Sequence, residues 1–126
     1  MIATMMLDFN KLQLSDANVT DLRVTRLTVE IDYLDWQGFS RTLVFKNAIS
    51  CFFASPHGRA LSHGRTQKGG AYVQECCKAA GEDEFDRFNE FSFTEAWEDQ
   101  EIVKIVAEEV YEKHPPSEPI SGAVVI

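Results

Sequence analysis

Residues 22–56 read LRVTRLTVEIDYLDWQGFSRTLVFKNAISCFFASP, and this stretch decides the fold class. From Leu27 to Tyr33 apolar residues alternate with polar ones, which is the period of a half-buried strand. Asp35 and Gly38 then bracket a four-residue turn, because an aspartate side chain accepts hydrogen bonds from the backbone ahead and glycine tolerates a positive φ. The pattern predicts one long β-hairpin closed by a type I turn.

The two arms of this hairpin differ in where their apolar residues fall. Apolar residues before Thr25 are out of phase with Leu27, so we expect a β-bulge near Thr25 or Arg26. The return arm begins near Ser40 and ends at Pro56, since proline cannot donate to a strand ladder. Its apolar residues lie on both faces, which is typical of a central strand covered on two sides.

Length and composition place the chain among globular proteins. A chain of 126 residues, with 44% hydrophobic and 25% charged residues, is expected to form a single domain over 1–126. Residues 115–126 are expected to form a loosely attached tail. The predicted class is α+β, with a mostly antiparallel sheet of about four to six strands built on the long hairpin. One or two helices are expected to pack on that sheet.

The cysteines and the apolar segments indicate in which cellular compartment the protein is expected. The chain has three cysteines, two of them adjacent, which does not suggest a disulfide framework. The apolar start at 1–7 is too short for a secretory signal and lacks a basic first part. No apolar run approaches the length of about 20 residues that a transmembrane helix needs. We therefore expect a cytoplasmic protein with free thiols and no membrane contact.

The net charge of −8 is unevenly distributed along the chain. Residues 1–81 hold nine Lys/Arg and seven Asp/Glu, whereas 82–126 hold three and thirteen, so the two parts carry +2 and −10. An acidic surface repels the nucleic acid backbone and attracts a basic protein surface. The charge layout therefore predicts a basic protein as the partner, and no nucleic acid.

Residues 82–99 read EDEFDRFNEFSFTEAWED and interleave acids with aromatic side chains. Phe91 and Phe93 alternate with polar residues, which predicts a short strand. The acids beside these aromatics suggest an interface for a basic partner, anchored by Phe88 or Trp97. The alternative is that the aromatics lie in the core and the acids in water. The predicted partner-binding residues are Glu82, Asp83, Glu84, Asp86, Phe88, Glu90, Glu95, Trp97, Glu98 and Asp99.

Residues 57–70, HGRALSHGRTQKGG, are predicted to form a mobile surface loop between two elements. The glycines, with Arg59, Arg65 and Lys68, leave open a cradle for an anion or phosphate. The segment contains no GxxxxGK[ST] motif, so the loop interpretation is favoured.

Apolar residues at helical spacing predict a helix over 71–80, ended by Gly81. Cys76 and Cys77 lie on this helix, and adjacent cysteines do not have the CxxC spacing of metal sites. We favour one of them as a core residue and expect no metal and no cofactor. A nucleophilic cysteine beside a histidine stays open as an alternative.

The chain ends give mixed patterns. Residues 1–14 fit either a first strand or a short helix. Residues 100–114 fit a helix by the spacing of their apolar residues, and also a strand by their β-branched content. We favour the helix, ended by Pro115 and Pro116. Residues 120–126 form either an edge strand or a frayed tail.

Residues 12–19 (LQLSDANV), the alternating strand with its turn, and residues 41–48 (RTLVFKNA) form a loose pattern over the first half of the chain. The pattern is similar to small bacterial immunity proteins of polymorphic-toxin and contact-dependent growth inhibition systems. Ser15 stands where that family pattern has a histidine before the aspartate. The resemblance implies a cytosolic, often β-rich and acidic protein that protects a cell by plugging a toxin domain.

Charge and resemblance together predict a non-enzymatic binding protein. In this hypothesis the acidic and aromatic surface covers the basic active site of a cognate toxin, for example a nuclease, whose cationic groups hold phosphates. One alternative is an anion- or nucleotide-binding regulatory domain that uses residues 57–70. The other is a small enzyme with Cys51, Cys76 or Cys77 as the nucleophile.

Overall fold

The computed structural model describes residues 7–113. They form eight strands, one α-helix and two short 3-10 helices: Phe9–Lys11 (3-10), β1 Asn18–Thr25, β2 Thr28–Leu34, β3 Ser40–Lys46, β4 Ser50–Phe53, β5 Leu61–Lys68, α1 Ala71–Ala80, Phe85–Arg87 (3-10), β6 Asn89–Glu95, β7 Glu101–Ala107 and β8 Glu109–Glu112. The predicted tail at 115–126 lies outside the described residues.

The eight strands form two antiparallel sheets of four. The first sheet has the order β1-β2-β3-β8 and the second the order β4-β7-β6-β5. The α+β class and the antiparallel pairing are confirmed, but the strands divide between two sheets, whereas the sequence predicted one. Apolar residues of both sheets meet in one buried cluster, including Val29, Ile31, Leu43, Phe45, Phe91, Phe93, Val103 and Ile105.

The return arm of the predicted hairpin is split where the chain crosses between the sheets. β3 ends at Lys46, and Asn47 has a φ of 54°, a conformation that asparagine tolerates better than most residues. The N–H of Ala48 then donates to the first sheet at Leu27 O, and the N–H of Ile49 to the second sheet at Val106 O. The return arm therefore forms two strands in different sheets. Within the first of them, β3, the consecutive residues Leu43, Val44 and Phe45 are all buried, as expected for a central strand covered on two sides.

The turn between β2 and β3 is as the sequence predicted. The carbonyl of Asp35 accepts from the N–H of Gly38 at 2.9 Å, and Gly38 has a φ of 88°. The Asp35 carboxylate accepts from the N–H groups of Gln37 and Phe39, each at 2.9 Å. The short polar side chain of Asp35 thus fixes the turn.

The bulge predicted near Thr25 or Arg26 is wrong, because a tight turn lies there. Thr25 pairs with Thr28 across the β1–β2 hairpin, and Leu27 has a φ of 61° and is 58% exposed. The register irregularity of β1 lies earlier, between Val19 and Asp21. The phase change in the sequence was therefore a change of strand direction.

Helix α1 is confirmed, and it packs on the second sheet. Gly81 follows it with a φ of 78°, and its N–H bonds the last carbonyls of the helix. Val73 and Cys77 form a second buried cluster with Phe88 and Val106. The second sheet is therefore covered by the first sheet on one face and by α1 on the other.

Two other predictions of secondary structure are wrong. Residues 57–70 contain strand β5 where a loop was predicted, and residues 100–113 form β7 and β8 where a helix was favoured. Both faces of β7 are buried, so its apolar residues run consecutively in the sequence and imitate a helical stripe. At the other end, residues 7–14 contain the 3-10 helix Phe9–Lys11.

Candidate functional site

The ten predicted partner-binding residues do not form one surface. Residues 82–86, the acidic segment, precede β6, whereas residues 96–99, the tryptophan tip, follow it. β6 has seven residues, so at about 3.3 Å per residue the two groups lie on the order of 20 Å apart. Glu90 and Glu95 lie within β6 and are buried.

Phe88 is not available as an anchor, which corrects the prediction. It is fully buried beneath α1, in the cluster with Val73 and Cys77. Trp97, in contrast, is 84% exposed. The alternative that the aromatics lie in the core is correct for Phe88, Phe91 and Phe93, whose burial removes apolar surface from water. Its other half, that the acids lie in water, fails for Glu90 and Glu95.

The tryptophan tip is the loop of the β6–β7 hairpin, and a buried carboxylate shapes it. Glu95, at the end of β6, accepts hydrogen bonds from the backbone N–H of Glu98 at 2.7 Å and of Trp97 at 3.2 Å. The Arg59 guanidinium lies 3.6 Å from the same carboxylate. These donors hold the pKa of Glu95 below its usual range, first through the Glu98 N–H, even though burial opposes the shift.

Further backbone bonds close the tip. The N–H of Glu95 donates to Gln100 O at 2.8 Å, and the N–H of Ala96 donates to Ala60 O at 2.9 Å. Asp99 takes a positive φ of 58°, which allows the chain to return into β7. The indole of Trp97 is thus carried on a turn whose backbone is fixed at both ends.

Acidification is expected to destabilise the protein partly through Glu95. Its folded-state pKa is lowered, so its stabilising contribution is present at neutral pH and is lost as the pH falls through the folded pKa. Urea denaturation from about pH 7 to about pH 3 should show the free energy of unfolding declining. The variant Glu95→Gln cannot ionise and should show a shallower decline. Equal declines in the two proteins would contradict this role for Glu95.

The acidic segment is held by one arginine. Arg87 lies 3.1 Å from Glu84 and 3.6 Å from Glu82, and it also pairs with Glu108. The Asn47 amide donates to Glu108 as well, and these contacts lower the pKa of Glu108, the Asn47 bond first. One cation therefore offsets part of the segment's charge, while Asp83 and Asp86 stay exposed.

The basic side chains expected to cradle an anion contact carboxylates instead. Arg59 lies beside Glu95, and Arg65 lies 3.8 Å from Glu101. His63 Nδ1 is 3.0 Å from the hydroxyl of Ser62. The segment is largely a strand whose two arginines face carboxylates, while Lys68 is exposed at its end, and this arrangement disfavours an anion cradle.

The surroundings of two of the three thiols disfavour the thiolate. Burial raises the pKa of Cys51 on β4 and of Cys77 in the core. Cys76 is half-buried on α1, and all three cysteines are free. Within residues 7–113 no three His, Cys, Asp or Glu side chains come together in a way that could hold a metal ion.

The described part of the chain contains no helix with the length and apolar character that crossing a membrane requires. A scan of protein-family models, a search of curated proteins and a search of solved structures each found no match to this chain.

Proposed function

We propose that the protein is a non-enzymatic binding protein whose tryptophan tip is the main contact with a partner protein. The observation that carries the proposal is the exposure of Trp97, 84%, on a turn fixed by a buried glutamate. Interface hot spots are enriched in tryptophan, and a rigid turn loses little conformational freedom on binding.

The proposed partner is a basic protein, specifically a toxin domain against which this chain acts as a cytoplasmic immunity protein. Glu98 and Asp99 directly follow Trp97 and are exposed, so the tip would suit an apolar pocket rimmed by Lys or Arg. The acidic segment would act at a distance, by attracting a basic surface before contact. The net charge of −8 and the resemblance to immunity proteins support this choice.

Growth protection tests the proposed function. Co-expression of the chain with the toxin encoded beside it should restore growth, and the chain should retain that toxin as a basic partner in a pull-down at low and high salt. The variant Trp97→Ala should lose both effects. Trp36→Ala, at another turn with its indole 60% exposed, is the matched control and should keep both. Absence of a partner at either salt, together with absence of protection, would refute the proposal.

The acidic segment is expected to control the association rate. Changing Asp83 and Asp86 to lysine should slow association about tenfold at low salt and much less near 0.5 M salt, while the dissociation rate stays nearly constant. Changing Asp8 and Glu75 to lysine alters the net charge equally at exposed sites elsewhere and is the control. If the two double variants slowed association equally, the effect would come from net charge in general, and a specific role for the acidic segment would be contradicted.

A further inference from the structure

A cavity of about 320 Å³ lies between the N-terminal segment and the β2–β3 turn, and no residue of the tryptophan tip lines it. Leu12 and Lys11 line it from the N-terminal segment, and Tyr33, Asp35, Trp36 and Arg41 from the hairpin. Its volume lies near the lower bound of small-molecule sites, which is roughly 300 Å³. The proposed function makes no use of this cavity.

Tyr33 is the unusual residue of the cavity. It is fully buried, and its hydroxyl has no hydrogen-bond partner among the described residues. Burial raises the pKa of Tyr33, and Glu112 adds to this effect, so the hydroxyl keeps its hydrogen at neutral pH and can donate it. Buried hydroxyl groups are nearly always paired, so an unpaired one on a tyrosine that lines a cavity calls for a partner, which a water or a ligand atom entering from the cavity would supply.

The charges around the cavity are already paired. The Arg41 guanidinium donates to Asp35 Oδ2 at 2.7 Å and to Glu112 Oε2 at 2.8 Å. At the mouth, Lys11 Nζ lies 3.9 Å from a carboxylate oxygen of Asp8. Among the residues that line the cavity, two cations (Lys11 and Arg41) face two carboxylates (Asp8 and Asp35), so the lining has no excess of either charge. Glu112, which pairs with Arg41, is not a lining residue. An uncharged ligand fits this arrangement best.

The indole of Trp36 indicates which shape of ligand fits the cavity. Its indole is 60% exposed and lines the cavity, and Leu12 adds apolar surface. An exposed indole beside a leucine offers a face on which a flat ring can stack. We infer that the cavity binds a small, uncharged, flat molecule whose ring packs on Trp36 and whose carbonyl or amide oxygen accepts a hydrogen bond from Tyr33.

Three probes of equal shape test the charge preference: benzamide, benzoate and benzamidinium. The protein carries Trp97→Phe, so that Trp36 is the only tryptophan and its indole N–H gives one signal in a two-dimensional NMR titration. Benzamide should shift that signal in a saturable way and bind at least about fivefold more tightly than either ion, since the ions lose hydration. Tighter binding of benzoate or benzamidinium, or saturation by none of the three, would overturn the inference.

Tyr33→Phe tests the role of the hydroxyl. Benzamide binding should weaken about tenfold, the effect of losing one hydrogen bond. The urea midpoint should stay the same or rise, because the variant removes an unpaired buried group. Tyr111→Phe, elsewhere in the first sheet, is the matched control and should bind as before. Unchanged binding by Tyr33→Phe would overturn the inference, and so would a clear loss of stability, because the hydroxyl would then already have a partner.

Discussion

Replacing Phe9 with alanine is expected to lower the free energy of unfolding by about 3–5 kcal/mol, the usual cost of deleting a buried phenylalanine ring. Phe9 is only 2% exposed, and its ring centroid lies 6.1 Å from that of Phe45 and 5.3 Å from those of Phe91 and Phe93. Phe45 belongs to the first sheet and the other two to the second, so Phe9 fills the space between the sheets. Urea denaturation measures the loss, and a change below about 1 kcal/mol would contradict this role.

Gly64 provides a second test of the same contact. A Cβ at this position would lie 2.6 Å from Cε2 of Phe9 and 3.0 Å from a methyl carbon of Leu14. Gly64→Ala should therefore destabilise the protein by about 1–3 kcal/mol, and by less in a Phe9→Ala background, where the methyl group finds space. Gly70→Ala is the control, because the atoms nearest to its Cβ would belong to the flexible side chain of Gln67. Additive effects of Phe9→Ala and Gly64→Ala would contradict the proposed contact.

The position of Phe9 shows which parts of the fold a sequence pattern can predict. The Asp35 turn and helix α1 with Gly81 are local, since the residues that determine them are also the residues that form them. The importance of Phe9 depends on rings at positions 45, 91 and 93, which lie far away in the sequence. The pattern of residues 1–14 alone could not distinguish a strand from a short helix for the same reason.

The two missed strand regions have different physical causes. β5 is an edge strand in which Leu61 is the only residue buried along its length, and Gly64 sits against Phe9. Its sequence therefore lacks the apolar alternation that identifies a strand. β7 has the opposite character, because the first sheet covers one face and α1 the other. Its consecutive apolar residues fit a helix and a strand equally well until those neighbours are known.

The sequence predicted which stretch holds the candidate site, but it did not predict which side chains of that stretch are exposed. The interleaved acids and aromatics of residues 82–99 identified the stretch, and Trp97 was one of two expected anchors. The choice between Phe88 and Trp97 depends on α1, which covers Phe88 and leaves Trp97 in solvent. Glu95 looked like one more surface acid, yet its carboxylate is turned toward the backbone of the tip. The sequence pattern does not distinguish a glutamate whose carboxylate accepts hydrogen bonds from the following turn from a glutamate that points into solvent.

Trp97→Ala is expected to weaken partner binding by about 30-fold or more, which corresponds to about 2 kcal/mol, the range of an interface hot spot. Most of the change should appear in the dissociation rate, because contacts made after docking set the lifetime of a complex. Surface plasmon resonance with the captured partner, at low and high salt, separates the two rates. The effect should persist at high salt, because the contact of the indole is apolar.

The same variant should leave the folded chain intact. Trp97 is 84% exposed, and only its backbone N–H and that of Glu98 donate to the Glu95 carboxylate, so the indole takes no part in these bonds. We therefore expect the free energy of unfolding to change by no more than about 0.5 kcal/mol. Trp36→Ala should bind the partner like the wild type, since Trp36 lies on the β2–β3 turn of the other sheet. Equal losses in the two variants would point to nonspecific adhesion of exposed indoles, and normal binding by Trp97→Ala would leave the acidic segment as the remaining candidate contact.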